Sequence, residues 1–363
     1  MIIGIDYRFA VNSIRGIGYY VKSIVNALSI LDQTNTYYLY VDQKIQLSFP
    51  TNFNIVVIDC KNLILFEQYH LPKRAKKDGI QLLWYPSNSG PIFLTKNSKL
   101  VVTIHDLVSL NYKLSIDDFF KWKNFKSAMA EKYRALFLKL GLKRIKQLIT
   151  VSEFSALQIQ KQLYRKAKVI VNHSHPLKET ESGKRILNKL SIKAKNYIYA
   201  LAGPGKHKNL KGYFELFKHG EVPQILVISG VIDLDLMERY HSDFIIFTGE
   251  VTEAEKASLY ANASAFLCLS YHEGFGLPIL EAMQFQIPII SSNKGALPMV
   301  LGDAGTLIDP DNQEKVRKEL KLAIEQESEI MKKRQREQYA KFSDWCTSAK
   351  EHLDLFMSLR EER

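Results

Sequence analysis

Absences narrow the field first. Only three cysteines occur in 363 residues, Cys60, Cys268 and Cys346, and they lie far apart. That excludes a disulfide framework and a CxxC metal site and points to a reducing compartment. The opening Met-Ile-Ile-Gly-Ile-Asp lacks a basic n-region and a long apolar core. Nowhere do about 18 apolar residues run uninterrupted. Neither export by a signal peptide nor a membrane span is therefore expected. Zinc-ligand spacing, a recognition-helix motif and an RNP-like aromatic string are also missing, so nucleic acid is not expected as a partner despite a formal charge of +12. Low-complexity segments are absent too.

What is present describes a soluble enzyme-sized chain. Hydrophobic residues make up 46% and charged residues 24%, an ordinary globular balance, and the length suits about two domains. The excess of Lys plus Arg, 50 against 38 acids, favours an anionic partner such as a phosphate-bearing metabolite or an acidic lipid surface.

Short runs rich in β-branched and aromatic residues recur at Ile2–Ile5, Tyr37–Val41, Ile55–Ile58, Leu82–Tyr85, Leu100–Ile104 and Leu148–Val151. Amphipathic stretches separate them; Tyr20, Ile24, Leu28 and Leu31 keep helical spacing around Lys22 and Asn26. The alternation resumes with Tyr197–Leu201, Ile225–Ile228, Phe244–Phe247, Ala265–Leu269 and Ile287–Ile290. Continuous apolar strands alternating with helices imply an α/β fold with mainly parallel sheets covered on both faces. The expected organisation is a first domain over 1–175, a polar linker over 176–195, a second domain over 196–342 and a C-terminal helix over 343–363.

In such sheets ligands bind where turns leave the carboxyl ends of strands. Arg15-Gly16-Ile17-Gly18 follows the first strand and opens a helix. Its glycines either let backbone N–H groups approach a phosphate or simply close a loop. The string Glu273-Gly274-Phe275-Gly276-Leu277-Pro278-Ile279-Leu280-Glu281 follows strand Ala265–Leu269, with Pro278 suited to the first turn of a helix. Its two carboxylates suit the hydroxyls of an extended ligand. Glu281 alone is equally read as complementing the helix dipole.

This pattern resembles the retaining glycosyltransferases of family 4, over nearly the whole chain. Besides the string from Glu273 to Glu281, the resemblance rests on Gly4-Ile5-Asp6 with Arg15-Gly16-Ile17-Gly18, Glu67-Gln68, Thr103-Ile104-His105-Asp106, Thr150-Val151-Ser152-Glu153-Phe154-Ser155, and Ala296-Leu297-Pro298 with Gly302-Asp303-Ala304. It implies the GT-B architecture, two Rossmann-like domains facing each other across a cleft, the first for the acceptor and the second for a nucleotide-sugar donor. It is similar to bacterial members that add a hexose, often mannose, to lipopolysaccharide or exopolysaccharide.

Carried over by position, the resemblance implies that Glu281 binds the ribose hydroxyls. Glu273, with the backbone of Gly274, Phe275, Gly276 and Leu277, would hold the transferred sugar. His105 would lie near the anomeric centre; a neutral core histidine is the ordinary alternative. Lys208 would be the diphosphate cation, helped by Gly16, Gly18, Lys206, His207 and Asn209, although a lysine-rich turn is also a common solvated loop. His207 stands where the family usually has arginine. Gln284-Phe285-Gln286 and Met299 also depart from its pattern. Asp233-Leu234-Asp235 has the spacing of a metal motif without its context, so neither a metal nor a cofactor is expected. The reading is metal-independent, retaining transfer of a hexose, GDP-mannose leading and UDP-hexoses next, to a lipid-linked cell-surface glycan. The alternative is a catalytically silent sugar-nucleotide-binding or interaction protein of the same fold.

Residues 121–147 carry nine Lys or Arg against one acid, interleaved with Trp122, Phe125, Met129, Leu136, Phe137 and Leu140. They suit either peripheral contact with an anionic bilayer or a solvated helix face. Localisation is expected to be cytoplasmic, at the inner face of the cytoplasmic membrane.

Overall fold

A computed structural model describes residues 1–12, 16–92, 98–111, 122–203, 205–232, 234–325 and 328–361. Arg15, Lys121 and Asp233 lie outside the described residues, as do the side chains of 122–128, 130 and 131. The chain forms two compact units, Met1–Asn172 with Trp345–Arg363, and His173–Asp344.

The first unit is built on seven parallel strands: β1 Ile2–Asp6, β2 Thr36–Val41, β3 Phe53–Val57, β4 Leu82–Tyr85, β5 Lys99–Ile104, β6 Ile145–Thr150 and β7 Ala167–Val169. Their order is β3-β2-β1-β4-β5-β6-β7. All four residues of β4 are buried, as a strand covered on both faces requires. The second unit holds β8 Tyr197–Leu201, β9 Ile225–Ser229, β10 Ile245–Gly249, β11 Ala265–Cys268, β12 Ile289–Ser292 and β13 Thr306–Ile308. Their order is β10-β9-β8-β11-β12-β13. In each sheet the order reverses at one point, β1 beside β4 and β8 beside β11. Turns leaving the carboxyl ends of those neighbours are brought together there.

The expected strands are all present. β7 and β13 were not anticipated, because three residues on a sheet edge make too short an apolar run to read. Residues 176–195 differ from a tether. Helix Glu181–Lys189 belongs to the second unit, with Thr180 as its N-cap accepting from Gly183 N at 3.1 Å. Only Gly183 and Ile186 are buried on it, which is why its composition reads as solvated. The C-terminal helix Trp345–Glu361 packs within the first unit, where Phe356 meets Trp84 at 5.7 Å and the Ser348 hydroxyl donates to the Val171 carbonyl.

Gly183 sits where helix Glu181–Lys189 meets helix Glu253–Ala261, and a Cβ there would collide with the Ala254 carbonyl. Alanine normally favours a helix over glycine by about 1 kcal/mol. Here Gly183→Ala should instead destabilise the second unit by about 1–3 kcal/mol in chemical denaturation, as overpacking does. A stabilised variant would show that the two helices do not approach so closely.

Candidate active site

In the second unit the turn after β8 and the turn after β11 are stitched together. Tyr271 N donates to the His207 carbonyl at 2.7 Å. Asn209, in the left-handed region at φ 54, caps helix Leu210–Phe217 by accepting from Gly212 N at 3.0 Å, and its Nδ2 donates to the Leu269 carbonyl at 3.1 Å. Asn209 is buried with both polar side-chain atoms engaged. These bonds set the turn that carries Lys208.

Across the stitched turns Lys208 Nζ donates to both carboxylate oxygens of Glu273, at 2.7 and 3.0 Å. The side chains are 28% and 14% exposed, so the pair is shielded yet reachable. Burial pushes the Glu273 carboxyl upward, but the charge and hydrogen bonds of Lys208, a hydrogen bond from Ser270 and the charge of His207 outweigh it and hold the group below its ordinary range. Gly295, at φ +65, lies so close beneath that a Cβ would sit 2.8 Å from Glu273 N. Gly276 is the N-cap of helix Leu277–Gln284, and Phe275 is buried against Phe342. Lys206 lines a separate hollow of about 300 Å³ with Lys211, Leu236, Tyr240 and Tyr271.

Glu281 lies one residue past the first turn of its helix. Lys256 Nζ donates to it at 2.7 Å and the Tyr260 hydroxyl at 3.0 Å. Burial alone would lower the Lys256 ammonium, but Glu281 and Glu253 raise it above its usual value. Lys256 and Tyr260 were not identified from sequence. The available signal was the Thr252–Glu255 capping box, which starts helix Glu253–Ala261 and puts both residues on one face, four apart. The departures at 284–286 also have local reasons. Gln284 exchanges hydrogen bonds with both backbone groups of Leu177, Phe285 stacks on Tyr260 at 5.7 Å, and Gln286 adopts φ 54 with its side-chain Oε1 accepting from Arg336.

In the first unit His105 leaves the carboxyl end of β5. Its Nε2 is 3.0 Å from the Pro86 carbonyl, so Nε2 carries the proton and Nδ1 is the acceptor. Its backbone is fixed by Asn88 and Ser155. Burial pushes the imidazole down, against the opposing pull of Pro86 and Asp106, keeping the ring neutral. Gly16 opens helix Gly16–Leu31 at φ +39, while Gly18 is buried. A second cluster was only half anticipated. Arg8 Nη2 donates to Asp6 at 2.6 Å and to Glu67 at 3.0 Å, and Glu67 also accepts from Ser89 and Tyr133. Burial, with Asp6 adding to it, raises the Glu67 carboxyl above its ordinary value against the pull of Arg8.

Residues 184–342 match the family described as glycosyl transferases group 1. O-antigen chain mannosyltransferase B of Escherichia coli is 25% identical over 348 residues, covering 86% of this chain and 88% of that protein. GDP-mannose:cellobiosyl-diphosphopolyprenol alpha-mannosyltransferase of Komagataeibacter xylinus is 33% identical over 113 residues, 30% of this chain and 28% of that one. Among solved structures, sucrose-phosphate synthase from Thermosynechococcus elongatus superposes with a TM-score of 0.76 at 15% identity over all of both chains. The fold is thus GT-B, with helices on two parallel sheets. Among the described residues no helix is long and apolar enough to cross a membrane.

The Lys208–Glu273 pair carries a pH signature. A carboxyl whose folded value is depressed adds stability above the unfolded value, about 4.3, and that stability is lost as pH falls through the folded one. In Lys208→Met, burial loses its main opponent, so the Glu273 carboxyl should titrate higher than in wild type by ¹³C NMR. An unchanged titration would show that Lys208 does not hold this carboxylate.

Proposed function

We propose that this glycosyltransferase moves mannose from GDP-mannose to a hydroxyl of a growing, lipid-linked cell-surface glycan, with retention and without a divalent metal. The second unit binds the donor and the first the acceptor. The observation that carries the reading is the Lys208–Glu273 pair at the point where the second sheet reverses order. The mannosyltransferase names of its relatives favour the sugar; the GDP-mannose and diphosphopolyprenol in the name of one favour the nucleotide and the lipid. UDP-hexoses are the next candidate donors.

A sugar diphosphate suits the pair on both sides. Phosphate oxygens compete for the ammonium of Lys208, and sugar hydroxyls donate to the carboxylate that Lys208 gives up. As the anomeric C–O bond breaks, charge collects on the leaving phosphate and the Lys208 contact strengthens. A contact that grows towards the transition state is what accelerates the step. Glu281, steadied by Lys256 and Tyr260, accepts from the ribose hydroxyls. Lys206 and His207 add to the diphosphate's surroundings. Neutral His105 offers an acceptor nitrogen to a sugar hydroxyl. Retention has the acceptor enter on the face the phosphate leaves, and the departing phosphate takes the acceptor proton, so no separate base is required.

Glu273→Ala should lower turnover about 100-fold or more in a folded protein. Glu281→Ala should weaken donor binding about 10–100-fold while affecting turnover less. Thermal-shift screening against GDP, UDP, ADP and dTDP sugars identifies the base, with GDP-mannose expected to raise the melting temperature most. Activity should survive a chelator. Wild-type kinetics in both variants would remove the assignment.

Peripheral attachment at the inner face of the cytoplasmic membrane belongs to the same proposal. On helix Trp122–Leu140, Met129, Leu136 and Leu140 are about half exposed beside exposed Lys132 and Lys139, while Phe137 and Leu138 are buried. The protein should sediment with anionic liposomes at low salt and be released by high salt. Failure to sediment at low salt contradicts the attachment.

A further inference from the structure

Tyr20 is a fully buried junction of the first unit, with its hydroxyl hydrogen-bonded on two sides. His352 Nδ1 lies 2.7 Å from the Ser348 carbonyl, an atom that can only accept. Nδ1 therefore carries a proton, and in the neutral ring Nε2 is the acceptor. The Tyr20 hydroxyl, 2.7 Å from Nε2, must donate to it. Its oxygen is then left to accept from Thr103 Oγ1 at 3.3 Å, and Thr103 accepts from Trp84 Nε1 at 3.0 Å. This is the arrangement of the neutral His352 ring. Burial holds it so, pushing the imidazole down to about 4 against the Ser348 hydrogen bond.

The ring of Tyr20 meets the ring of His105 edge to face, with centroids 4.9 Å apart and planes at 88°. Such contacts fix relative orientation, because the edge of one ring is attracted to the face of the other. His105 itself has one ring nitrogen tied to Pro86, so the Tyr20 contact decides how firmly the remaining nitrogen is aimed.

We propose that His352, on the C-terminal helix, is a positioning residue for His105: it holds Tyr20 by its hydroxyl, and Tyr20 holds the His105 ring. This rests on the reading that His105 serves the transferred sugar. The tail is then part of the machinery of the site, although His352 touches no substrate.

The test uses full-length Tyr20→Phe, His352→Phe, the double variant and His105→Ala. Tyr20→Phe removes one oxygen and keeps the ring, so it carries the test if His352→Phe does not fold. In either single variant the seal over His105 loosens, and its ring titration by NMR should move up towards the ordinary histidine value. Turnover should fall about tenfold with donor KM within about twofold, as small misplacements of a reacting group do. Because both substitutions cut one relay, the double should be no worse than the poorer single. Folded single variants with wild-type His105 titration and turnover would show that His352 only fastens the tail, and losses that multiply in the double would also overturn the proposal. Wild-type turnover in His105→Ala would instead overturn the role of His105, with the NMR titration still deciding whether His352 positions it.

Discussion

The ion pair between Lys208 and Glu273 is the constraint around which the second unit is arranged. A shielded carboxylate needs a partner, since burial without one would drive it to its neutral form. Lysine supplies that partner from a turn three helix–strand units earlier in the chain, and the two turns meet because β8 and β11 are neighbours. The stitching by Tyr271, His207 and Asn209 sets the distance between the turns. Gly295 lets the backbone beneath Glu273 approach. A ligand bearing both phosphate and hydroxyls can replace each member of the pair with a chemically equivalent partner, so binding it exchanges charged contacts rather than stripping charges bare. The Lys256–Glu281 pair repeats the device one turn along the helix.

The same topology occurs twice, yet the two sheet reversals are finished differently. In the first unit Asp6 and Glu67 are completely buried and Arg8 is nearly so. That cluster is a sealed network of charge-assisted bonds, suited to holding β1 and the segment Phe66–His70 in register. In the second unit the corresponding charges stay partly accessible. One reversal is built to stay closed, the other to trade partners.

Much of this was legible in the residues. Parallel strands announce themselves as unbroken apolar runs because both faces are covered, and the Glu273–Glu281 string is local, so its turn, helix and carboxylates could be read together. What escaped was tertiary or marginal. Lys256 meets Glu281 across two helices that the sequence does not connect. Arg8 joins Asp6 to Glu67 through the fold, and His352 reaches Tyr20 from the far end of the chain. β7 and β13 are too short to signal, and helix Glu181–Lys189 hides behind its charged face. The helix cap at Asn209 escaped too, because it depends on a left-handed backbone conformation that the residue type alone does not announce.

The most direct test of the account is hydrogen exchange of the wild-type protein with and without GDP-mannose. Protection of amides in the turns 205–209 and 270–281, with little change elsewhere in the second unit, is the predicted result. Protection that leaves both turns unchanged while the nucleotide sugar binds would contradict it, because the ligand would then be held by groups other than the two lysine–carboxylate pairs.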